Sequence, residues 1–279
     1  SDSALGGKII EKSLRFNRSG AHRINRTPAS AGNRKTWTKS FWVKRTSEDR
    51  RMVHAYYISG NDVAAIEFQD TGNFAIYDYY NSYRMYMQTS AKFRDCTAWT
   101  HFVVSLDTTQ STASERAKIY VNGSRVTAFD TATYPSQNLD VSFNQNVLEA
   151  WGTEGTNQRL HFDGYLADIY YVDGQQLEPT SFGFTESQTG VWKPKDYQGT
   201  YGQNGYHLEF RYNAGESATT LGKDTSGNGN DWTPVGFSVD ADFMTDIVTD
   251  SPTNNFCVLN YNGGSGTRPC LLYTSDAAD

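Results

Sequence analysis

The sequence predicts an all-β protein, a two-sheet antiparallel β-sandwich of the jelly-roll kind. Three observations carry that expectation. Short runs alternate apolar and polar residues, as a strand with one buried face requires. Turn signals separate these runs: Asp70-Thr71-Gly72-Asn73, Asn122-Gly123 and Asp173-Gly174. No segment sustains a 3.6-residue period over three turns. About a dozen short strands at regular spacing make a sandwich or jelly roll.

Taken in order, Lys12 to Asn17 (K-S-L-R-F-N) predicts a short strand. Residues 18–34 are polar, with Gly20, Pro28 and Gly32 marking turns. Thr36 to Arg45 gives the cleanest strand. Trp37, Lys39, Phe41 and Val43 share one face; Thr38, Ser40, Trp42 and Lys44 share the other, so Trp42 points to a second layer or to solvent. Met52 to Ser59 is a further strand. Val63 to Phe68 pairs with Asn73 to Tyr79 as a hairpin. Tyr83 to Gln88 follows the Asn81-Ser82 turn.

Ala98 to Gly123 predicts a β-meander. Phe102, Val104 and Leu106 alternate with His101, Val103 and Ser105, and after a polar loop Ile119 and Val121 form a second strand. Asn122-Gly123 supplies the two positive-φ positions of a type I′ turn into a third. Val126 to Phe129 reads as another strand, residues 130–138 as a loop, and Val147 to Trp151 as a weak strand. His161 to Val172 is strong, with Tyr165, Ala167, Ile169 and Tyr171 on one face. A short helical or 3₁₀ exit follows at 176–182. Residues 183–205 read as a surface connection, Tyr206 to Arg211 as a strand, and the remainder to 269 as loop, flexible at Gly263-Gly264-Ser265-Gly266.

The chain has 279 residues, 37% hydrophobic and 20% charged, enough for a core but not a rich one. Tyrosine (18) far outnumbers tryptophan (6), a bias that favours strands and sugar- or protein-contacting surfaces. A net charge of −6 speaks against sequence-independent binding of nucleic acid. No apolar run approaches the ~18 residues of a membrane helix, so no membrane insertion is expected. Cys96, Cys257 and Cys270 form no C-x-x-C pair; they signal neither zinc nor a disulfide framework, and Cys96 reads as a small buried apolar residue. The start has neither Met nor a signal pattern, and reads as the interior of a longer chain. Cys270 to Asp279 resembles an in-frame translation of a transposase-type sequencing adapter. The expectation is a metagenomic fragment with a non-native tail at 270–279.

Several motifs together carry a family resemblance: S-L-R-F-N, W-T-K-S-F-W-V-K-R, W-T-H-F-V-V-S-L-D, K-I-Y-V-N-G and F-D-G-Y-L-A-D-I-Y-Y-V-D-G, in that order from Ser13 to Phe182. The chain resembles the laminin-G-like branch of the concanavalin A-like lectin/glucanase fold. The phrases R-T-P-A-S-A-G-N-R-K-T-W-T, L-G-K-D-T-S-G-N-G-N-D-W-T-P and D-S-P-T-N-N-F-C are similar to a module of marine phage tail and structural proteins. The resemblance implies a lectin-like sandwich on a virion, acting outside the cell, with no ligand specified because ligands of this family lie on variable loops. The expected domains are a sandwich at 8–182, a connection at 183–205, and 206–269. That last region is expected to open a second, truncated sandwich; the alternative is that it adds strands to the first.

Chemistry can be weighed against this frame. Glycoside hydrolysis needs two carboxylates flanking the scissile bond. Glucanases resembling this fold carry them as E-x-D-x-x-E, and no such run occurs. Asp163 and Asp168, five apart on an alternating strand, fall on opposite faces, and Asp168 reads as capping a strand edge or binding a backbone N–H. His22, His54, His101, His161 and His207 are isolated, with His101 packed in the meander. No nucleophile elbow or phosphate loop is present, so no enzyme is predicted. Tyr77, Tyr79 and Tyr83 are the candidate ligand residues: Tyr77 and Tyr79 share a face while Tyr80 points away, and tyrosines stack on sugars while bonding through their hydroxyls. The plainer reading is half core, half strand surface. Asp224, Ser226 and Asn228, with Gly229, have the spacing of the first half of a calcium loop, but Val235 stands where the bidentate Glu belongs. A partial calcium site competes with a simple Asx turn. The expected partners are host-surface carbohydrate or, alternatively, other virion proteins in an oligomer or a structural spacer.

Overall fold

The computed structural model describes residues 7–155, 159–211, 218–237 and 246–255. Cys257, Cys270, the glycine-rich 263–266 stretch and the 270–279 tail lie outside them.

The strands follow the alternation seen in the sequence. They are β1 (Ser13–Phe16), β2 (Arg23–Arg26), β3 (Thr36–Arg45), β4 (Arg51–Ser59), β5 (Asp62–Phe68), β6 (Asn73–Tyr80), β7 (Tyr83–Lys92), β8 (Thr100–Asp107), β9 (Ala117–Val121), β10 (Ser124–Arg125) and β11 (Phe129–Thr133). They continue with β12 (Glu149–Trp151), β13 (Gly164–Asp173), β14 (Gly183–Thr185), β15 (Trp192–Pro194), β16 (Tyr206–Leu208), β17 (Thr233–Val235) and β18 (Ile247–Val248). Single-turn helices α1 (Ala113–Arg116) and α2 (Ala218–Leu221) interrupt them, and among the described residues no helix is long and apolar enough to cross a membrane.

Two antiparallel sheets form the sandwich. The first runs β10-β9-β8-β3-β13-β1-β18, with β16 also paired to β13; the second runs β11-β7-β6-β5-β4-β12-β2-β17. Inward-facing rings join them. Phe102 of the first sheet stacks on Phe74 of the second at 4.3 Å, and Phe41 meets Trp151 edge-on at 5.3 Å. Each such ring, fully withdrawn from water, contributes roughly 1.5–3 kcal/mol.

The meander forms as β8, β9 and β10, with Asn122 at φ 46° and Gly123 at φ 80°. The next strand differs from expectation. Residues 126–128 are not a strand; β11 begins at Phe129 and joins β7 in the opposite sheet. Polar β2 was not evident in the sequence, because Arg23-Ile24-Asn25-Arg26 buries mainly Ile24 and Arg26 and depends on its partners β12 and β17.

Strand β13 corrects the predicted face. Tyr165 and Ala167 pack outside the sandwich, whereas Ile169 and Tyr171 lie in its core. The cause is a bulge. The register against β3 slips between Ala167 and Tyr170, and Asp168 sits at φ 49°. One extra residue reverses every side chain beyond it.

The C-terminal region also departs from expectation. β16 pairs with β13, β17 with β2 and β18 with β1. The described part of 206–255 therefore extends the first sandwich instead of opening a second. Residues 183–205 lie across the outer face of the first sheet and include the small β14–β15 hairpin. Trp192 from that hairpin donates to His101 Nδ1 at 2.9 Å, and Trp42 stacks on His101 at 4.8 Å, so Trp42 faces a second layer. Cys96 is half-buried and disulfide-bonded, not a buried apolar filler.

Candidate functional site

The outer face of the second sheet carries the candidate tyrosines, and strand register sets them in a grid. Met52, Glu67, Ala75 and Gln88 stand side by side across β4 to β7. Ala55, Ala65, Tyr77 and Tyr86 form the next row; Tyr57, Val63, Tyr79 and Tyr83 form the third. A register slip after Asp78 brings Tyr79 opposite Tyr83. Tyr83 then meets three rings: Tyr86 at 4.8 Å, Tyr79 at 5.1 Å and Tyr77 at 5.8 Å. Tyr80 points away, its ring 5.2 Å from the Arg84 guanidinium. Sequence periodicity thus placed Tyr77 and Tyr79 together, and strand pairing sets Tyr86, also in this tyrosine-dense stretch, directly opposite Tyr77.

The cluster has a floor and a rim. Tyr77 is 6% exposed and belongs to the floor, while Tyr83 is 52% exposed. Leu160 packs against this face, and its carbonyl accepts from the Met52 N–H at 2.9 Å. Ala55 and Ala65 are fully buried, Tyr79 and Tyr86 are half-buried, and Tyr83 faces solvent.

Beside the rings lies a fixed polar pair. Arg50 donates from Nε to Glu67 Oε2 at 3.0 Å and from Nη2 to Oε1 at 3.1 Å, a two-bonded clamp. Gln69 donates to the same carboxylate. Glu67 is fully buried, and burial pushes its carboxyl up to about 7 against the opposing pull of Arg50. Arg50 is 39% exposed and presents the edge of the pair to solvent. A second carboxylate, Glu154, bears electrostatically on both Glu67 and Tyr77. It accepts from Arg159 Nε at 3.2 Å. Each carboxylate is thus engaged by a guanidinium. The surface offers aromatic rings for stacking, Gln88 bonded by the Tyr86 hydroxyl at 2.7 Å, and the Arg50 edge for hydrogen bonds.

A laminin G family model, described as the concanavalin A-like lectin/glucanases superfamily, matches residues 19–174. The chain belongs to that superfamily. The match spans β2 to β13 and so contains the whole tyrosine grid. None of the curated proteins compared matches the chain. Among solved structures, it is similar to a Bacteroides ovatus protein proposed to bind carbohydrate, at 13% identity and a TM-score of 0.51, covering 81% of this chain and 58% of that one. It is also similar to the LG4-5 domains of the mouse laminin α1 chain, at 14% identity and a TM-score of 0.43, covering 63% and 45%. A pentraxin from Limulus polyphemus gives 12% identity and a TM-score of 0.45, covering 61% and 79%. The chain thus spans about 58% of the length of the Bacteroides protein. At these identities the likeness is one of fold.

The other candidate residues of this superfamily member lie elsewhere. Asp224 is buried, and its carboxylate accepts from the N–H groups of His207, Ser226 and Asn230 and from the Ser226 hydroxyl, all at 2.8–2.9 Å. Asn228 turns its amide nitrogen to the carbonyls of Gly202 and Gly205. The oxygens of Asp224 and Ser226 thus serve the loop's own turn.

Asp168 neither caps a strand edge nor lies on a regular strand opposite Asp163, which precedes β13. It is buried in an ionic cluster, with Lys8 Nζ at 2.6 Å and His207 Nε2 at 2.7 Å. Lys8 also reaches Asp196 at 2.9 Å and Glu209 at 3.2 Å. Burial pushes the Asp168 carboxyl up, but Lys8 and His207 prevail and hold it down at about 2. This cluster pins the N-terminal segment to the bulge. Lys8 and His207 are 199 residues apart, and no local sequence signal connects the cluster.

Proposed function

We propose that this chain is a non-catalytic carbohydrate-binding module whose ligand lies on the tyrosine face of the second sheet. The observation that carries the reading is the four-ring cluster around Tyr83, open to solvent beside the Arg50–Glu67 clamp. Tyrosine rings cover the apolar face of a sugar, and fixed polar groups at the border orient its hydroxyls. Superfamily membership supports a lectin-type role. The full burial of Glu67 and the hold of Arg159 on Glu154 support binding over hydrolysis, since a general acid must reach the glycosidic oxygen. On the resemblance to phage tail modules, the setting is a virion acting outside the cell, and the ligand is a host-surface glycan.

A glycan array on the intact chain, with and without calcium, tests this reading. Binding that Tyr83→Ala weakens supports it; silence across neutral and acidic glycans under both conditions overturns it. Release of reducing sugar from a bound glycan would overturn the non-catalytic part.

A second reading is a structural virion module that contacts other virion proteins. It is favoured by the exposed Ile58, Tyr80 and Tyr83 at the adjoining β4–β5 and β6–β7 tips, which the Asn81 N–H to Asn61 carbonyl bond of 2.9 Å holds together. Light scattering separates the two: stable oligomers without sugar binding favour this second role.

A further inference from the structure

Lys44 stands on the outer face of β3, directly beside Tyr165 of β13. It is only 4% exposed. The segment that follows β18 crosses above it and brings two side chains to its ammonium. Asp250 Oδ2 lies 2.7 Å from Lys44 Nζ, and Asn255 Oδ1 lies 2.9 Å away.

Each partner is held in place. Asp250 is fully buried, and its Oδ1 accepts from Trp99 Nε1 at 3.0 Å. The Asn255 amide nitrogen donates to the Thr97 carbonyl at 3.1 Å, which turns the carboxamide oxygen toward Lys44. Trp42, Trp99 and Tyr165 belong to one apolar cluster around the site. The Tyr165 hydroxyl is buried there with no hydrogen-bond partner among the described residues. An amine, a carboxamide and a buried carboxylate are thus brought together beside an apolar cluster, with the amine in hydrogen-bond contact with both the carboxylate and the carboxamide oxygen.

We propose that Lys44 and Asn255 become joined by an intramolecular isopeptide bond, with Asp250 as the proton carrier. The Lys44 ammonium passes one proton to Asp250. The resulting amine attacks Asn255 Cγ, and the bond from Cγ to Nδ2 breaks. The second proton of the attacking nitrogen and the proton held by Asp250 both leave with Nδ2. A lysine ammonium is consumed and an ammonium ion is released, so charge and atoms balance without any co-reactant. Asn255 lies at the surface, which gives that ion a way out. The product replaces the buried ammonium by a neutral amide and leaves the Asp250 carboxylate with the Trp99 indole N–H as a donor.

The test is the intact mass of the purified full chain after disulfide reduction. The expected mass is below that of the sequence by one ammonia, with a branched peptide joining Lys44 to Asn255 after trypsin digestion. Lys44→Arg keeps the charge beside Asp250 but cannot form the amide, and Asn255→Ala changes an exposed residue. Both are expected to fold as the parent does and to show their full sequence masses. Asn255→Asp is expected to lose one water instead of one ammonia, and Asp250→Asn to stay unlinked. A full-mass parent chain after prolonged incubation overturns the proposal, as does an ammonia loss that persists in Lys44→Arg. A linked Asp250→Asn variant overturns the role given to Asp250.

Discussion

Lys39 of the first sheet and Glu149 of the second meet inside the sandwich, with Nζ 3.8 Å from Oε2 and both side chains sealed from water. The Lys39 ammonium also lies 3.9 Å from the centre of the Tyr171 ring, and His54 Nε2 bonds Glu149 at 3.1 Å. Removing Lys39 strips the buried Glu149 carboxylate of one of its cations and leaves it with Arg26, whose Nη1 lies 3.8 Å away. Lys39→Met is expected to cost about 3–5 kcal/mol, and the double replacement Lys39→Met with Glu149→Leu to cost clearly less. Urea unfolding of the two single variants and the double variant checks this; an additive double variant would show that the pair is not coupled.

Glu67 gives the module a distinctive pH dependence. Its carboxyl rises on folding from 4.5 to about 7, chiefly through burial. Between those values the folded state holds a proton that the unfolded state has released, so this contribution falls as pH rises. Over the full window the change is about 3 kcal/mol. Glu67→Gln is expected to flatten stability between pH 4.5 and 7. Thermal scans across that range decide it, and an unchanged slope in Glu67→Gln refutes it.

Two histidines act in the opposite sense. Burial lowers His54 to about 4 and His101 to about 3 from an ordinary 6.5. As pH falls through 6.5, unfolded histidine takes up a proton that the folded form refuses, and stability is lost. His101 accepts from Trp192 at Nδ1 and bonds Ser40 Oγ through Nε2 at 2.8 Å, which fits the neutral ring. His101→Gln is expected to be less stable at neutral pH and less sensitive to acid. Acid titration followed by tryptophan fluorescence measures both.

Tyr83 and Tyr77 should separate binding from folding. Tyr83→Ala removes an exposed ring and is expected to change stability by no more than about 0.5 kcal/mol. If the cluster holds a sugar, the same change weakens affinity by about tenfold, near the upper end of a stacking contact. Tyr77→Ala empties part of the floor and is expected to destabilise by about 3–5 kcal/mol. Calorimetric titration of an array hit, beside melting curves, tests both expectations.

Asp224 holds its loop through hydrogen bonds to three backbone N–H groups and one hydroxyl. Asp224→Ala is expected to leave these donors unmet and to cost about 2–4 kcal/mol. With both carboxylate oxygens so engaged, a chelator is expected to leave Tm unchanged. A fall in Tm on chelation would assign this carboxylate, or another group of the chain, to a cation.

The fold was legible wherever local pattern and turn chemistry agreed. Asn122-Gly123 and the alternation of Phe102, Val104 and Leu106 specify the meander without help from the rest of the chain. Asp168 shows where that reading stops. A bulge leaves the apolar composition of β13 intact yet exchanges its faces, so Ile169 and Tyr171 could be placed only through the register with β3. The candidate face divides in the same way. Tyr77 and Tyr79 share it by strand periodicity. Arg50 and Glu67, 17 residues apart, become partners only through the pairing of β4 with β5. Short polar strands such as β2 carry no signal of their own, because neighbouring strands supply their stability.

The pairing of β1 with β18 also has a mechanical consequence. The two strands are antiparallel, with Ser13 opposite Val248, so the chain enters and leaves this corner from the same end. Tension along the chain would peel the pair apart one bond at a time, the weak unzipping geometry. The grip of Lys44 on Asp250 and Asn255 lies just past that corner and leads to β3, near the middle of the first sheet. A pull from the C-terminal side is thereby diverted away from the edge and into the strand whose neighbours hold it on both flanks.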